Sequence, residues 1–267
     1  MATTISILSQ KGGTGKTTTT RTLADIFARL GLAVLAVDAD PQGNLSDYFD
    51  VSPDASPTLA EVLAGQVLAT EAIHNGVIPA NLQLAESELI LAGKIGREVT
   101  MRNALREVKR DYDIVLIDCP PTLGLLTVNA LVASDQAILS TEAQYFSLQG
   151  VEQAMEIFNL ARDSLNPDLD LLGIVLNIAN MRTRHARGAR ESLRSRFPDK
   201  LFNSVIRQSI AYAESAERAI PILDLKPERG QDYIDLASEV LTRLRRKDLL
   251  AALERLRQDR VPASVRR

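Results

Sequence analysis

The chain has 267 residues, of which 45% are hydrophobic and 24% are charged, and its formal net charge is −3. This composition is typical of a globular protein with an aliphatic core, since Trp is absent and aromatic residues make up 4%. A single Cys excludes an intrachain disulfide framework and a four-cysteine metal cluster. The sequence shows no apolar run of about 18 residues and no signal-peptide pattern, so we expect a cytoplasmic protein.

The first elements of the chain form a predicted strand–helix–strand unit. Residues 3–9 are β-branched and apolar, which is typical of a buried parallel strand. A glycine-rich segment follows, and then apolar residues recur at helical spacing up to Gly31, which indicates the end of a helix. Residues 33–40, AVLAVDAD, predict a second buried strand that ends in two aspartates. This order of elements is that of a βαβ unit.

The next part of the chain is less regular. Residues 50–60 contain SPDASP and predict a loop. Thr58 begins a short predicted helix, because Glu61 stands three residues further on and completes a capping box. Residues 81–87, NLQLAES, predict a short strand, and residues 99–112 predict one helix.

Strands and helices then alternate to the end of the chain. Residues 113–121, DIVLIDCPP, predict a buried strand that ends at a Pro-Pro pair, and residues 232–258 predict one long helix or two. The alternation predicts an α/β fold with three layers, in which helices cover both faces of a mainly parallel sheet. We expect a single domain over residues 1–267, with residues 246–267 as a basic helical extension and tail.

A glycine loop, SQKGGTG at residues 9–15, joins the first strand to the first helix. The general phosphate-loop pattern, G-x-x-x-x-G-K-[ST], requires glycine at position 10, where this chain has Gln10. The surroundings are nevertheless those of a phosphate site, because glycines let backbone N–H groups approach phosphate oxygens. Lys16 adds positive charge, and Thr17 adds a hydroxyl for Mg²⁺. The alternative interpretation is a plain glycine turn. It is less favoured, because the sequence GKT stands at the start of the helix.

Three aspartates follow predicted strands. Asp38 and Asp40 end the second strand, and Asp118 ends the strand over residues 113–121. Ligands of open α/β sheets bind beyond the carboxyl ends of the strands, so these side chains are expected near the glycine loop. Carboxylates there can hold a metal and orient a nucleophile for phosphoryl transfer. A lone aspartate in this position is more often a helix cap, but three together favour a functional site.

Four motifs carry a resemblance to a known family. They are KGGTGKTT at residues 11–18, DADPQGN at 38–44, IDCPPTLGLLTVNAL at 117–131 and TEAQYFSLQGVEQ at 141–153. In combination they resemble the ParA/MinD family of deviant Walker ATPases, and most of all its ParA-type, Soj-like partition ATPases. The resemblance extends from about residue 3 to residue 245. It implies a P-loop NTPase fold, with ATP and Mg²⁺ as cofactors.

The resemblance also implies a role for individual residues. Lys11 is expected to cross the interface of an ATP-bound homodimer and to contact the phosphates of the partner, while Lys16 binds the β- and γ-phosphates of its own subunit. Asp40 is expected to orient the attacking water, so the catalytic set is Lys11, Lys16 and Asp40. The implied nucleotide site comprises Lys11, Gly12, Gly13, Thr14, Gly15, Lys16, Thr17, Thr18 and, for the adenine, Asn177. The implied metal site comprises Thr17, Asp38, Asp40 and Asp118.

A basic segment extends from residue 182 to residue 207, where eight Lys or Arg stand against two acids. Arg187, Arg190 and Arg194 share one face of a predicted helix, while the apolar Ala186, Ala189, Leu193 and Phe197 form the opposite face. Few acids are placed to pair with these arginines, and no aromatic residues interleave, which favours contact with the phosphates of duplex DNA over a solvated helix face. The resemblance agrees, because ParA-type relatives bind DNA non-specifically as ATP dimers. The candidate DNA contacts are Arg182, Arg184, Arg187, Arg190, Arg194, Arg207, Arg218 and Arg229.

The last predicted helix carries leucines among arginines. A basic amphipathic helix can lie on a membrane, and MinD relatives end in such an anchor. The helix has no aromatic residue, however, so core packing or a dimer contact is favoured. Cys119 is interpreted as a packed residue, and His74 and His185 lack metal-ligand spacing.

Together the residues and the family resemblance imply an ATPase that dimerises around ATP, binds DNA on the nucleoid and positions a cargo. The cargo would be a chromosome, a plasmid or a large protein assembly, carried by an adaptor protein that stimulates an otherwise weak hydrolysis. The main alternative is a membrane-cycling ATPase of the MinD kind. A metabolic synthetase or reductase of the same superfamily is a third class, but it would need a substrate domain or cluster cysteines.

Overall fold

A computed structural model describes residues 2–144 and 147–260; for residues 259 and 260 it describes the backbone alone. A seven-stranded sheet forms its centre, with the strand order β3-β2-β4-β1-β5-β6-β7 and every neighbouring pair parallel. The strands are β1 (Thr3–Leu8), β2 (Val34–Asp38), β3 (Val77–Ile78), β4 (Ile114–Asp118), β5 (Gln136–Glu142), β6 (Asp170–Ala179) and β7 (Leu201–Arg207). Since β1 lies between β4 and β5, the glycine loop leaves the sheet near its middle.

Helices cover both faces of the sheet. They are α1 (Lys16–Arg29), α2 (Asn44–Tyr48), α3 (Leu59–Ala64), α4 (Gln83–Ala92), α5 (Thr100–Ala104), α6 (Leu125–Ala133), α7 (Ser147–Ser164), α8 (Arg184–Arg196), α9 (Ala211–Glu217), α10 (Ile222–Leu225), α11 (Pro227–Arg243) and α12 (Leu250–Arg260). One hydrophobic core joins the sheet to α3–α8, and a second joins it to α1 and α9–α12. A small third cluster joins Leu45 of α2 to the edge of the sheet. The predicted three-layer α/β fold is thus confirmed.

The central strands are apolar on both sides because each face of the sheet meets helices. In β4, Val115 and Ile117 belong to one core, while Ile114 and Leu116 belong to the other. Successive side chains of a strand point to opposite faces, so a strand that is covered twice is a continuous apolar run. The run in β4 ends at Asp118, where the chain reaches the edge that carries the glycine loop.

Two predicted helix boundaries are confirmed. Thr58 caps α3, with its hydroxyl accepting from the N–H of Ala60 and the Glu61 carboxylate accepting from the N–H of Thr58. Gly31 follows α1 with φ of +87°, a left-handed conformation that favours glycine, so the chain turns there toward β2.

Three expectations about single elements were wrong or incomplete. The predicted strand at residues 81–87 is instead the start of α4, whose Leu84 and Leu91 are buried seven positions apart on one helical face. The helix predicted over residues 99–112 is interrupted after α5, and a 3₁₀ turn follows at Val108–Arg110. The edge strand β7 was not predicted, because its inner and outer residues mix polar and apolar types.

The end of the described chain packs into the second core. Leu241 and Leu253 are buried there, and the other leucines of this region, Leu244, Leu249, Leu250 and Leu256, pack against it in part. The preference for core packing over a membrane anchor is therefore confirmed for these side chains. In the described ranges, no helix has the length and apolar character that crossing a membrane requires.

Candidate functional site

The glycine loop connects β1 to α1 at the carboxyl edge of the sheet. Gly13 and Gly15 have φ of +75° and +80°, which L-residues with a Cβ rarely adopt. A Cβ on Gly15 would also lie 3.2 Å from Nδ2 of Asn177, so this position excludes side chains on steric grounds as well. Gln10 has no positive φ. The departure of position 10 from the general pattern therefore creates no backbone strain.

The two lysines of this region have different surroundings. Lys16 is buried, and its Nζ donates to Oγ of Ser9 at 3.2 Å and to the carbonyl oxygen of Lys11 at 3.3 Å. An ammonium group has three N–H donors, so one remains for a phosphate oxygen. The side chain of Lys11 is exposed, while its carbonyl also accepts from Oγ of Ser9 at 2.7 Å. Lys16 thus belongs to the interior of the loop and Lys11 to its surface.

Thr17 and Asp118 form the centre of the candidate metal site. Oγ1 of Thr17 donates to Oδ2 of Asp118 at 2.6 Å, and Oγ1 of Thr20 donates to Oδ1 at 3.3 Å. Because the proton of Thr17 is directed to Asp118, the lone pairs of its hydroxyl remain for a cation. Asp118 is 1% exposed, and burial, reinforced by the charge of Asp38, raises its pKa to about 8.

Asp38 and Asp40 differ in what they contact. Asp38 is fully buried and accepts from the backbone N–H and the hydroxyl of Ser46 and from the N–H of Asp40. Burial raises the pKa of Asp38 to about 7. Asp40 lines a large cavity and accepts from the N–H of Gln42 at 3.0 Å. Asp38 therefore shapes the turn after β2, while Asp40 is the carboxylate on the cavity wall.

Asn177 supports the glycine loop from β6. Its Nδ2 donates to Oγ of Ser140 at 2.7 Å and to Oγ1 of Thr19 at 3.3 Å, and these hydroxyls donate in turn to the carbonyl oxygens of Thr14 and Gly15. Oδ1 of Asn177 is buried and has no hydrogen-bond partner among the residues that the structure describes. It is therefore an orphaned acceptor next to the loop. Its expected part in adenine binding stays a prediction.

The cavity beside the loop has a volume of about 960 Å³. Residues 12–18, Asp40, α2, the ends of β6 and β7, and α9 line it. This volume lies in the range of cofactor sites and is large enough for a nucleoside triphosphate. The wall includes Ile178, a β-branched residue with φ of +51°, which is a strained conformation of the kind that clusters at ligand sites.

The donor set of the cavity fits Mg²⁺ bound together with a phosphate chain. In the described ranges no three His, Cys, Asp or Glu side chains converge to form a complete protein cage. Mg²⁺ is instead usually held by one or two protein oxygens, with waters and substrate phosphates as the remaining ligands. Thr17 and Asp40 line the cavity, whereas the fully buried Asp38 and Asp118 lie behind its lining.

The candidate DNA-binding arginines fall into two groups. Arg187 donates to the carbonyl oxygens of residues 181 and 182, and Arg190 and Arg194 both donate to Asn203 on β7. Within residues 2–144 and 147–260, no ion pair involves this first group, which comprises Arg182, Arg184, Arg187, Arg190 and Arg194. Their charge is not compensated by a described carboxylate.

The other three candidates lie elsewhere. Arg207 forms a two-pronged contact with Asp232 on the cavity wall, and Arg218 pairs with Glu214 at 3.3 Å. Arg229 is half-buried in the first turns of α11. Among the eight candidates, the five between residues 182 and 194, together with Arg229, form no ion pair with a described carboxylate. For Arg207 and Arg218, the described carboxylates already offset the charge.

Sequence reasoning missed the hydroxyl groups that organise the site. Ser9, Ser46, Ser140 and Thr19 each bond to a loop carbonyl, a buried aspartate or Asn177. These side chains come from four separate elements. Ser9 ends the first predicted strand, but Thr19 lies inside the first helix and Ser46 beyond the second strand, so no common sequence signal marks these hydroxyls.

Comparison with known proteins gives the family. A family model described as an AAA domain matches residues 2–171. The sporulation initiation inhibitor protein Soj of Bacillus subtilis is 38% identical over 245 residues, which is 88% of this chain and 97% of that protein. The chromosome partitioning protein ParA of Caulobacter vibrioides is 36% identical over 259 residues, covering 93% of this chain and 97% of the relative.

Similar solved structures contain nucleotide and magnesium. A structure described as cobyrinic acid a,c-diamide synthase of Mycobacterium smegmatis, with bound ADP and magnesium, has a TM-score of 0.74 at 33% identity and covers 82% of this chain and 93% of its own. The septum site-determining protein MinD of Pyrococcus horikoshii, complexed with Mg-ADP, has a TM-score of 0.74 at 30% identity and covers 90% and 96%. With the fold, the glycine loop and the curated relatives in agreement, this chain belongs to the Soj/ParA family of chromosome-partitioning ATPases.

Proposed function

We propose that this ATPase forms a homodimer around two ATP molecules, binds duplex DNA without sequence preference, and is reset when an adaptor protein on its cargo stimulates hydrolysis. The observation that carries this proposal is the pair of lysines at the glycine loop. Lys16 is buried inside the loop, and Lys11 is exposed at its surface. One cation per subunit is enough for a phosphate cradle, so we assign the exposed lysine to the phosphates of a second subunit.

The residues of one subunit would hold the nucleotide and its metal. The N–H groups of residues 12–18 and the remaining donor of Lys16 would bind phosphate oxygens, and the hydroxyl of Thr17 would ligate Mg²⁺. Asp118 supports that hydroxyl by accepting its hydrogen bond, and Asp38 supports the turn that carries Asp40. Bound Mg²⁺ would neutralise charge on the transferred phosphoryl group.

Asp40 and Lys11 would act on the reacting atoms. A carboxylate on the cavity wall can accept a hydrogen bond from water and hold it in line with the phosphoryl group. A cation supplied by the other subunit would stabilise the charge that develops in the transition state, as an arginine finger does. Hydrolysis would then be weak in the monomer, and it would increase when the adaptor holds the dimer in its active geometry.

DNA contact is assigned to the arginines between residues 182 and 194. Several guanidinium groups on one face, without compensating carboxylates, suit a row of backbone phosphates. Such binding would place the ATP dimer on the nucleoid. The cargo would then follow the adaptor, and it would be a chromosome, a plasmid or a large protein assembly.

The test of this proposal is Lys11→Ala, with Lys226→Ala as a control that removes another exposed lysine. We expect Lys11→Ala to bind a fluorescent ATP analogue as the wild type does, because Lys16 and the loop are intact. The same variant should lose ATP-dependent dimerisation in sedimentation velocity and should lose phosphate release. Unchanged turnover in Lys11→Ala would contradict the proposal.

Two alternatives give different results in a binding assay. A membrane-cycling ATPase of the MinD kind would bind liposomes in an ATP-dependent way, whereas the leucines of the last helices here pack in the core. A metabolic synthetase would show neither DNA nor liposome binding. Retention on duplex DNA that requires ATP and decreases with salt separates the partition activity from both.

A further inference from the structure

The outward face of α4 is apolar, although it lies in solvent. Leu82, Leu89 and Ile90 are 70%, 78% and 65% exposed, and Ile95, just beyond the helix, is fully exposed. Leu82 and Leu89 are seven positions apart and therefore lie on one helical face, with Ile90 beside them. The inner face of the same helix carries the buried Leu84 and Leu91 (not part of the surface). We call Leu82, Leu89, Ile90 and Ile95 the α4 patch.

A patch of this kind is unusual on a monomer. A helix that is apolar all round is normally buried on all sides. Exposed apolar surface of a few hundred Å² commonly marks an interaction site, and four large aliphatic side chains form a surface of about that size. The composition therefore indicates that another surface covers α4 in some state of the protein.

The start of α4 is tied to the turn that carries Asp40. Oγ of Ser46 accepts from the N–H of Ala80 at 2.9 Å and donates to the buried Asp38 at 2.8 Å. Ala80 stands two residues before Leu82, the first residue of the α4 patch. The position of α4 thus depends on the same hydroxyl that fixes the turn after β2.

The middle of α4 forms a hydrogen bond with the segment that follows Asp118 at the end of β4. Oε1 of Glu88 accepts from the N–H of Leu126 at 3.2 Å, in the segment that follows β4. Pro121 of that segment lies against the glycine loop. A Cβ atom added to Gly12 would lie 3.8 Å from the Cβ of Pro121. The helix that carries the α4 patch is therefore linked by a hydrogen bond to the segment that lies beside the glycine loop.

The charges around the patch suit a second copy of the chain. Glu86 precedes and Lys94 follows the pair Leu89–Ile90, and both charged side chains are exposed. Neither forms an ion pair with any other described residue. If two α4 helices cross antiparallel at a two-fold axis near Leu89 and Ile90, Glu86 comes opposite Lys94 of the partner subunit. The surface is thus complementary to itself.

We propose that the α4 patch packs against the α4 patch of a second copy in the ATP-bound dimer. This inference rests on the proposed function, because it assumes that ATP brings two subunits together. The patch would supply the apolar part of an interface whose polar part is Lys11 and the phosphates. The hydrogen bonds of Ala80 to Ser46 and of Glu88 to Leu126 would make the position of the patch, and so the fit of the two copies, depend on the nucleotide site. A stable interface buries about 800 Å² per partner, and the patch would provide a large share of that area.

The first test is the double variant L89S/I90S in the full chain, with L160S as the matched control. Leu160 is 58% exposed on α7, so its replacement removes a comparable exposed leucine elsewhere. In sedimentation equilibrium with Mg²⁺ and a slowly hydrolysed ATP analogue, we expect the dimer dissociation constant of L89S/I90S to rise at least tenfold. Nucleotide affinity should be unchanged, and L160S should behave as the wild type.

The outcomes of that test separate two failures. A wild-type chain that stays monomeric with ATP contradicts the proposed dimer, and this inference with it. A wild type that dimerises, a Lys11→Ala variant that does not, and an L89S/I90S variant that dimerises with wild-type affinity would together overturn the inference alone.

A second test follows burial of the patch directly. Leu89→Cys is labelled with an environment-sensitive fluorophore, with Leu160→Cys as the control; the native Cys119 is fully buried and does not compete. We expect a blue shift of the label on residue 89 when the ATP analogue is added, with an amplitude that depends on protein concentration. A shift that does not depend on concentration, or that needs added DNA or vesicles, would contradict packing between two copies.

Discussion

Replacing Gly15 by Ala tests how closely the glycine loop and its support from β6 are coupled. Gly15 has φ of +80°, and an L-residue in the left-handed region costs about 1–2 kcal/mol. The new Cβ would also lie 3.2 Å from Nδ2 and 3.3 Å from Cγ of Asn177. These contacts are tighter than ordinary van der Waals packing, so either the loop or the amide must move.

The movement has a calculable cost. Asn177 donates one hydrogen bond to Ser140 and one to Thr19, and each is worth about 1 kcal/mol of net stability. Loss of one or both, added to the backbone strain, gives about 2–4 kcal/mol for Gly15→Ala. Gly31→Ala is the matched control, because Gly31 has φ of +87° but no atom within 4 Å of its missing Cβ. It should cost the strain alone, about 1–2 kcal/mol.

The assay is urea unfolding of both variants without nucleotide, followed by nucleotide titration. We expect Gly15→Ala to lose more stability than Gly31→Ala and to bind ATP at least tenfold more weakly, because the N–H groups of the loop no longer converge. Gly31→Ala should bind ATP with wild-type affinity. The reasoning is refuted if Gly15→Ala is no less stable than Gly31→Ala and binds ATP equally well.

Three further predictions follow from the site. Asp40→Ala should bind ATP but accumulate as an ATP-bound dimer, as measured by sedimentation; hydrolysis at the wild-type rate would count against Asp40 as the residue that orients water. Arg182→Ala and Arg184→Ala should each reduce the slope of log affinity for DNA against log salt by about 1, whereas Arg196→Ala, which removes an arginine already paired with a carboxylate, should leave it nearly unchanged. Burial raises the pKa of Cys119 far above that of a free thiol, so an aromatic disulfide reagent at pH 8 should react with it only after unfolding in urea. Prompt reaction of the native protein would show that this strand end is open.

Much of the fold and the nucleotide site could be predicted because their signals are local. The apolar run of β1, the helical spacing of α1 and the aspartates at strand ends each occupy less than one element, and the parallel sheet brings them to one edge. The capping box at Thr58 was predicted for the same reason, since both of its partners lie within three residues. Features that depend only on neighbouring residues can be predicted from the sequence before the fold is known.

The features that were missed depend on contacts between distant segments. Leu82 and Leu84 alternate with polar residues as in a strand, but the chain there packs Leu84 and Leu91 against α3 and α6, and the segment is helical. Tertiary packing overrode a short local pattern. Likewise, the sequence did not predict that Asn177 supports the glycine loop; its part in adenine binding is implied by the family resemblance and stays a prediction. Its bonds to Ser140 and Thr19 follow from the neighbouring position of β5 and β6, which the order of elements alone does not give.

The electrostatics of the two buried aspartates link the nucleotide site to the fold. Asp38 and Asp118 are paired in register on adjacent strands, and burial raises their pKa values to about 7 and about 8. The folded chain then holds more protons than the unfolded chain above about pH 4, so these groups make the nucleotide-free protein less stable as pH rises toward 8. A cation held at Thr17, whose hydroxyl donates to Asp118, would favour the ionised carboxylates and oppose that loss. Mg²⁺ bound with nucleotide would therefore stabilise the ends of β2 and β4 most at neutral and alkaline pH. The Asp40 turn and the segment beside α4 begin at these strand ends.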